Sequence, residues 1–280
     1  MRSEAKTDQV LGPTKWVAGV VTLVLLTAFV LLYGWPERTT QTFAWTINPP
    51  MTAVFMGSAY GAGVYFFARV FGARRWHTVA ADFLPIAIFT AFLGVATLMH
   101  IDRFNHAHIS FDTWFALYVT TPFLVPALWL WNRRTDPGTP DERDAVVLIA
   151  VRCFAACLGV VIFAGCLVAF VRPAAFIAAW PWKVTPLTAR VLLGFFSWFG
   201  TIGISLASDR RWSAWRIIVH SQLIGIGLIV VGAMRRWADF DPANPLALGF
   251  VGFNLVLLAL LAALTVVMER RAAAGVARQP

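Results

Sequence analysis

Three of the five histidines of the chain lie within nine residues, in the stretch MHIDRFNHAHISFD. His106 and His108 are two residues apart, so both rings would point to the same side of an extended segment. His100 and Asp102 stand just before them, at the end of an apolar run. Imidazole and carboxylate groups bind Zn²⁺ and other divalent ions. The spacing is compatible with a metal site made of these four residues. Hydrogen-bonded or exposed loop histidines, or a proton-sensing group, are open alternatives, and no cofactor is predicted.

Ionisable residues also occur inside apolar runs. Asp82 lies in the third run, and Arg216 and His220 lie four residues apart in the seventh, on one helix face. Such residues are costly in a membrane and default to a functional hypothesis. We expect Asp82 to pair with Arg216 beside His220. The group would form a polar station on the path of a solute or proton, or a structural ion pair between two parts of the protein.

A third group of candidates surrounds two similar segments, WTINPPMTA and WKVTPLTA. In each segment a proline precedes a threonine at the start of an apolar run, where proline suits the first helical turn. We predict that these segments shape an outer mouth, in which a cationic side chain attracts an anion. A helix start fixed beside an interfacial tryptophan explains the pattern as well. The residues are Trp45, Thr52, Trp182, Thr188 and Arg190.

The composition excludes an ordinary soluble domain. Of 280 residues, 59% are hydrophobic and 13% are charged, whereas soluble domains carry about 25% charged residues. The mean hydropathy is +0.70, so a lipid bilayer must solvate much of the chain. The net charge of +9 does not indicate nucleic acid, because the basic residues cluster at the ends of apolar runs.

Eight apolar runs are long enough to cross a membrane as helices. The first is longer than the core of a signal peptide and is expected to be retained. The predicted spans are residues 16–34, 51–71, 78–99, 113–131, 145–171, 187–208, 213–234 and 246–268.

The basic residues predict the orientation of these spans. Four arginine pairs would lie on the same side as the N-terminus: Arg74 and Arg75, Arg133 and Arg134, Arg210 and Arg211, and Arg270 and Arg271. Basic residues favour the cytoplasmic side. We therefore expect a multi-pass protein of the bacterial plasma membrane with both termini in the cytoplasm and the histidine-rich stretch outside.

The two halves of the chain resemble each other at a constant offset of 136 residues. Pro50, Thr52 and Ala53 recur as Pro186, Thr188 and Ala189, and the sequence RRW at residues 74–76 recurs at 210–212. We predict two tandem, parallel four-helix repeats, since an even number of spans returns the second copy to the same side. The first would cover residues 1–131 and the second 145–280, joined by a polar cytoplasmic linker at 132–144.

The combination of W-x-I-x-P-x-x-T at Trp45–Thr52 with HIDRF after the third run resembles bacterial multi-spanning membrane proteins of no assigned activity. The composition suggests a high-GC bacterium, such as an actinobacterium. The resemblance would cover most of the chain, and it implies no activity, so no functional residue is carried over from it.

Three function classes follow from these patterns. The first is binding or transport of a small solute at the interface of the two repeats, with the bilayer as the environment. The second is a membrane metalloprotein or enzyme that uses the histidine-rich loop, although an enzyme is the less favoured reading. The third is a non-catalytic subunit or assembly factor, with membrane protein partners or a second copy of the chain.

Overall fold

The computed structural model describes residues 7–138 and 144–277, with the side chains of 275–277 left out. Within these residues the regular elements are helices, together with two isolated backbone bridges. In this part of the chain, eight helices are long and apolar enough to cross a membrane, which confirms an all-α integral membrane protein. We number them α1 (Gly12–Gly34), α2 (Pro50–Gly72), α3 (His77–Met99), α4 (Ile109–Asn132), α5 (Ile149–Val171), α6 (Pro186–Ala207), α7 (Trp212–Arg235) and α8 (Leu246–Ala277).

The helix boundaries depart from the apolar runs where polar residues can continue a helix. Helix α4 begins four residues before the predicted run, because His108 accepts a hydrogen bond from the backbone N–H of Ser110 and caps the helix. Helix α8 continues beyond residue 268 through Glu269, Arg270 and Arg271. These residues favour helix even though they add no hydrophobicity. Hydropathy therefore located the membrane-crossing part, and capping and propensity set the ends.

Four helices form the centre of the bundle and four lie at its periphery. The central helices α2, α3, α6 and α7 bury half or more of their apolar windows, whereas α5 and α8 bury 11% and 6%. Helix α2 packs on α1 and α7, and α6 packs on α5 and α3. Helix α4 rests on α3, and α8 rests on α7. The peripheral helices expose their apolar side chains, as expected of helices in contact with lipid.

The pair α5 and α6 approaches closely through glycines. A Cβ atom added to Gly159 would lie 2.4 Å from the carbonyl oxygen of Gly200, and one added to Gly200 would lie 2.8 Å from the backbone nitrogen of Phe163. Helices in lipid associate largely through van der Waals packing of small residues. The absence of side chains at these positions thus allows backbone-to-backbone contact between the two helices.

Elements in the two halves begin at corresponding positions. Helices α2 and α6 start at Pro50 and Pro186, and short 3-10 turns follow α3 and α7 at Ile101–Arg103 and Trp237–Asp239. The backbone N–H groups of Trp76 and Trp212 each donate to the segment that precedes α1 or α5. The predicted repeat is consistent with these positions and stays a prediction.

The linker predicted at 132–144 lies partly outside the described residues, which resume at Asp144. Its described ends pack against the second half of the chain. Asp136 forms a salt bridge with Arg211 at 3.1 Å, and Asp144 accepts a hydrogen bond from the backbone of Ser213 at 3.1 Å. We call the end of the bundle where α1 begins the arginine-rich face. The opposite end, where residues 100–108 join α3 to α4, is the histidine-loop face.

Candidate functional site: a cavity beside Asp82

Helix α3 is interrupted at Ala81 and Asp82, between the helical segments His77–Ala80 and Phe83–Met99. Pro85 explains the break, since proline has no N–H to donate to the carbonyl four residues earlier. That carbonyl belongs to Ala81, and it accepts a hydrogen bond from the hydroxyl of Ser205 on α6 at 2.6 Å. A side chain from a neighbouring helix therefore replaces the lost backbone donor.

The break places the Asp82 carboxyl group inside the bundle. Asp82 is only 1% exposed. Its Oδ1 atom accepts a hydrogen bond from the indole N–H of Trp198 at 2.6 Å. Trp198 is the tryptophan that lies in the middle of a span in the sequence, away from the membrane surfaces where indoles usually lie. A carboxylate can accept about four hydrogen bonds, and within the described residues Asp82 receives this one.

Asp82 lines a cavity of about 100 Å³ between α1, α2, α3, α4, α6 and α7. A single water needs about 10–15 Å³ measured in this way, so the space admits a small molecule. The wall is apolar apart from Asp82 and a few hydroxyl groups. Its aromatic residues are Tyr60, Phe66, Phe67, Phe83, Phe89, Tyr118, Phe195 and Trp198.

Two tyrosines close one part of the wall. The hydroxyl groups of Tyr60 on α2 and Tyr118 on α4 are 2.9 Å apart, and both side chains are buried. Gly94 lets α4 approach α3 at this level, because an added Cβ would lie 2.6 Å from the carbonyl oxygen of Tyr118. The tyrosine pair and this close contact fix the width of the cavity on that side.

The expected pair between Asp82 and Arg216 is wrong. Arg216 forms a salt bridge with Glu269 of α8 at 2.7 Å, and Asp82 bonds to Trp198. The Nδ1 atom of His220 lies 3.3 Å from the hydroxyl of Tyr65. The long side chain of Arg216 carries its guanidinium group to the surface of the bundle, where the carboxylate of Glu269 is available. The three residues of the predicted station therefore have three different partners.

The residues of the predicted outer mouth lie packed inside the protein. The indole N–H of Trp182 donates to the hydroxyl of Thr52 at 2.8 Å, and both residues are buried. The hydroxyl of Thr188 is 2.9 Å from that of Thr185. Trp45 is buried against Phe104 and Trp114, and its indole N–H has no partner among the described residues. The structure thus brings Thr52 and Trp182 together as a contact between the two halves.

Arg190 joins this region to the histidine-loop face. Its Nε atom donates to the carbonyl oxygen of Phe170 at 3.0 Å, and its Nη1 atom donates to Nε2 of His100 at 3.0 Å. Arginine has no acceptor atom, so His100 accepts this hydrogen bond through an unprotonated nitrogen. Partial burial and the nearby Arg190 charge lower the pKa of His100. The neutral form of this histidine is therefore the one that fits the structure.

The other two loop histidines serve the local backbone. Nε2 of His106 is 2.8 Å from the carbonyl oxygen of Ile101. His108 accepts from the N–H of Ser110 at 3.2 Å. Asp102 pairs with its exposed neighbour Arg103 at 3.1 Å. Within residues 7–138 and 144–277, no group of three or more metal-ligating side chains is found.

Sequence reasoning missed a polar cluster at the arginine-rich face, which links the two halves. Nδ1 of His77 lies 2.5 Å from Oδ2 of Asp8, and Nε2 of His77 lies 3.0 Å from the hydroxyl of Ser213. That hydroxyl also contacts Asp144. His77 and Ser213 are 136 residues apart, as are Asp8 and Asp144. The constant offset applied to His77 would have pointed to Ser213.

Arg211 anchors the linker beside this cluster. It is buried, and its guanidinium group bonds to Asp209 and to Asp136. Burial disfavours the charged form, but these hydrogen bonds outweigh it and raise the pKa of Arg211 above its ordinary value. Burial alone would raise the pKa of Asp136, yet the hydrogen bonds from Arg211 keep it below its usual range. Both groups are thus held in their charged forms.

Comparisons with known proteins give this chain no relative: no family model, curated protein or solved structure matches it significantly.

Proposed function

We propose that this integral membrane protein binds a small organic cation in the cavity beside Asp82 and carries it through the membrane. The observation that carries the proposal is the buried carboxyl group in an aromatic wall. A buried carboxylate is costly unless a proton or a cation neutralises it. Within the described residues, the group that bonds to Asp82 is an uncharged indole, so neutralisation is left to a proton or a ligand.

The aromatic wall favours a cation with an apolar surface over a metal ion. Aromatic ring faces attract alkylammonium groups, and cages of such rings recognise quaternary ammonium ligands. A bare metal ion would require several oxygen or nitrogen ligands, which the apolar wall does not provide. The cavity volume of about 100 Å³ suits a compact ligand. We therefore assign the ligand class as a small alkylated ammonium ion.

Binding of radiolabelled tetramethylammonium to the purified protein in detergent tests the proposal. We expect saturable binding that Asp82→Asn abolishes, because the amide keeps the shape and loses the charge. Asp112→Asn is the matched control, since it removes an exposed carboxylate outside the cavity and should leave binding unchanged. Equal binding by the wild type and Asp82→Asn would overturn the proposal, provided that both elute as folded protein.

Uptake into vesicles separates carriage from binding. Wild-type protein in liposomes should accumulate tetramethylammonium when an inward-negative potential is imposed, and the Asp82→Asn protein should not. Binding without uptake would retain the site and remove the carrier function.

We infer that the chain consists of two parallel repeats and that the arginine-rich face is cytoplasmic. The matching positions of the helices and short turns support the first point, and the arginine pairs support the second. Ala107→Cys, made after replacing Cys153, Cys157 and Cys166 by alanine, tests the orientation. An impermeant maleimide should label it in intact cells, and labelling that requires lysis would reverse the assignment.

A further inference from the structure

A second recess lies at the arginine-rich face, between the end of α2, the segment leading into α3 and the start of α7. It has a volume of about 390 Å³ and is separate from the cavity beside Asp82. Four arginines line it: Arg69, Arg74, Arg75 and Arg216. Such a concentration of one charge in a small concave site is unfavourable unless an anion compensates it.

Two of the arginines that line this recess, Arg69 and Arg74, have no ionic partner among the described residues. Arg216 pairs with Glu269. The side chains of Arg69 and Arg74 are exposed and form no hydrogen bond or ion pair with any described residue. The exposed charges of Arg69 and Arg74 therefore have no carboxylate against them among the described residues, and the recess attracts anions.

The donors considered for a ligand are the guanidinium groups of Arg69, Arg74 and Arg216. Thr78 lines the recess, but its hydroxyl donates to the carbonyl oxygen of Arg75 at 2.7 Å. Ser213 also lines it, and its hydroxyl contacts both His77 and Asp144. Guanidinium groups bind planar pairs of oxygens through parallel hydrogen bonds, and phosphate is the anion that satisfies several of them at once.

The position of the recess matches the level of lipid headgroups. Arg69 lies in the last turn of α2, and Arg216 lies in the first turns of α7. Basic pockets between transmembrane helices at this level bind anionic headgroups. The same pocket is also open to a soluble phosphate from the aqueous side.

We propose that Arg69, Arg74 and Arg216 bind a phosphate group, presented by an anionic lipid or by a soluble phosphate. The site is independent of the cavity beside Asp82 and of the function proposed for it.

The test uses three forms of the full-length protein. The double variant Arg69→Gln and Arg74→Gln removes two exposed charges from the recess. The matched double variant Arg270→Gln and Arg271→Gln removes two exposed charges at the same face, outside the recess. In one arm, binding of radiolabelled inorganic phosphate is measured in a non-ionic detergent. In the other, native mass spectrometry counts phosphatidylglycerol retained after extraction from vesicles of phosphatidylcholine and phosphatidylglycerol.

We expect the wild type and the control to bind in at least one arm, and the recess variant to bind about tenfold more weakly or not at all. Retention of lipid alone identifies a headgroup site, and binding of inorganic phosphate alone identifies a soluble ligand. The proposal is overturned if the wild type binds neither probe. It is also overturned if the recess variant binds as strongly as the control, whether both keep binding or both lose it. Should the double variant fail to fold, Arg74→Gln alone gives the same comparison.

Discussion

The helix pairs α1–α2 and α5–α6 occupy corresponding places in the chain but pack differently. Helices α5 and α6 meet backbone to backbone at Gly159, Gly200 and Gly203. The positions 136 residues before the last two are Val64 and Phe67 on α2. Phe67 lines the cavity beside Asp82. Glycines at three positions close the space between α5 and α6. Helices α1 and α2 also approach closely at Gly57, whose added Cβ would lie 2.9 Å from the backbone nitrogen of Tyr33, but the bulky Phe67 further along α2 borders an open space.

This difference shows how two helix pairs at corresponding positions in the chain can form a rigid contact in one case and the wall of a candidate site in the other. Helix contact in lipid depends on close packing, since lipid chains solvate apolar side chains as well as a neighbouring helix does. Small residues permit that packing. Bulky aromatic side chains hold neighbouring helices apart and leave unfilled space between them. The candidate cavity therefore lies mainly in the first half of the chain, with Phe195, Trp198 and Ser221 contributed by the second.

The largest loss of stability should come from a substitution that disrupts the close contact between α5 and α6. Gly159→Val places a side chain where the carbonyl oxygen of Gly200 is 2.4 Å from an added Cβ. Overpacking of this kind destabilises by about 3 kcal/mol. Gly165→Val is the control, because nothing lies within 4 Å of its added Cβ. Thermal unfolding in detergent should separate the two variants, and equal melting temperatures would show that the glycine contact is not needed.

A second test concerns the cavity side of the comparison. Trp198→Phe removes the indole donor and leaves the carboxyl group of Asp82 without a bonding partner among the described residues. The expected loss of stability is about 2 kcal/mol, the usual cost of an unsatisfied buried polar group.

A double-mutant cycle checks the origin of that loss. Trp198→Phe should cost clearly less in an Asp82→Leu background, because the group that needs the donor is then absent. Additive losses would mean that Trp198 contributes through packing alone.

A smaller loss of stability is expected when the side chain that caps the start of α4 is removed. Helix α8 has a comparable cap. His108 accepts from the N–H of Ser110, and Asn244 accepts from the N–H of Leu246 at 3.0 Å. Loss of such a cap costs about 1 kcal/mol. His108→Ala should therefore lower the melting temperature, and His108→Asn should leave it near the wild-type value. If asparagine is as harmful as alanine, the histidine does more than cap the helix.

The smallest expected effect is a dependence of stability on pH. His100 should contribute to it, whereas Arg236, the residue 136 positions later, should not. Arg236 pairs with Glu37 through a permanent charge, whereas His100 accepts from Arg190 in its neutral form. The pKa of His100 is lowered in the folded protein, so the unfolded chain takes up this proton first. The stabilising effect is complete above the ordinary pKa of about 6.5 and is lost as the pH falls below it.

Melting temperatures measured from about pH 8 to about pH 5 check the histidine effect. His100→Gln should flatten part of the decline at acidic pH, and Arg236→Gln should keep the wild-type slope, since arginine stays charged throughout this range. An unchanged slope in His100→Gln would show that this contact is not pH-sensitive.

Much of the fold followed from the sequence, and less of the candidate site did. The eight spans were predicted to within a few residues, apart from the longer α8, because the length of an apolar run is a local property. Asp82 was recognised as unusual because it is an ionisable residue within an apolar span. The partner assigned to Asp82 was wrong, since a matching depth along two helices does not determine which faces meet.

The sequence by itself determined that this is a helical membrane protein with eight crossings, and that polar groups such as Asp82 would need partners there. Only the tertiary structure decided that Trp198 bonds to Asp82, that Arg216 turns to Glu269, and that aromatic rings enclose a cavity. Hydropathy depends on residues that are neighbours in the chain. Pairing between side chains of different helices depends on the rotation and separation of those helices. Both are determined by the packing of all eight helices together.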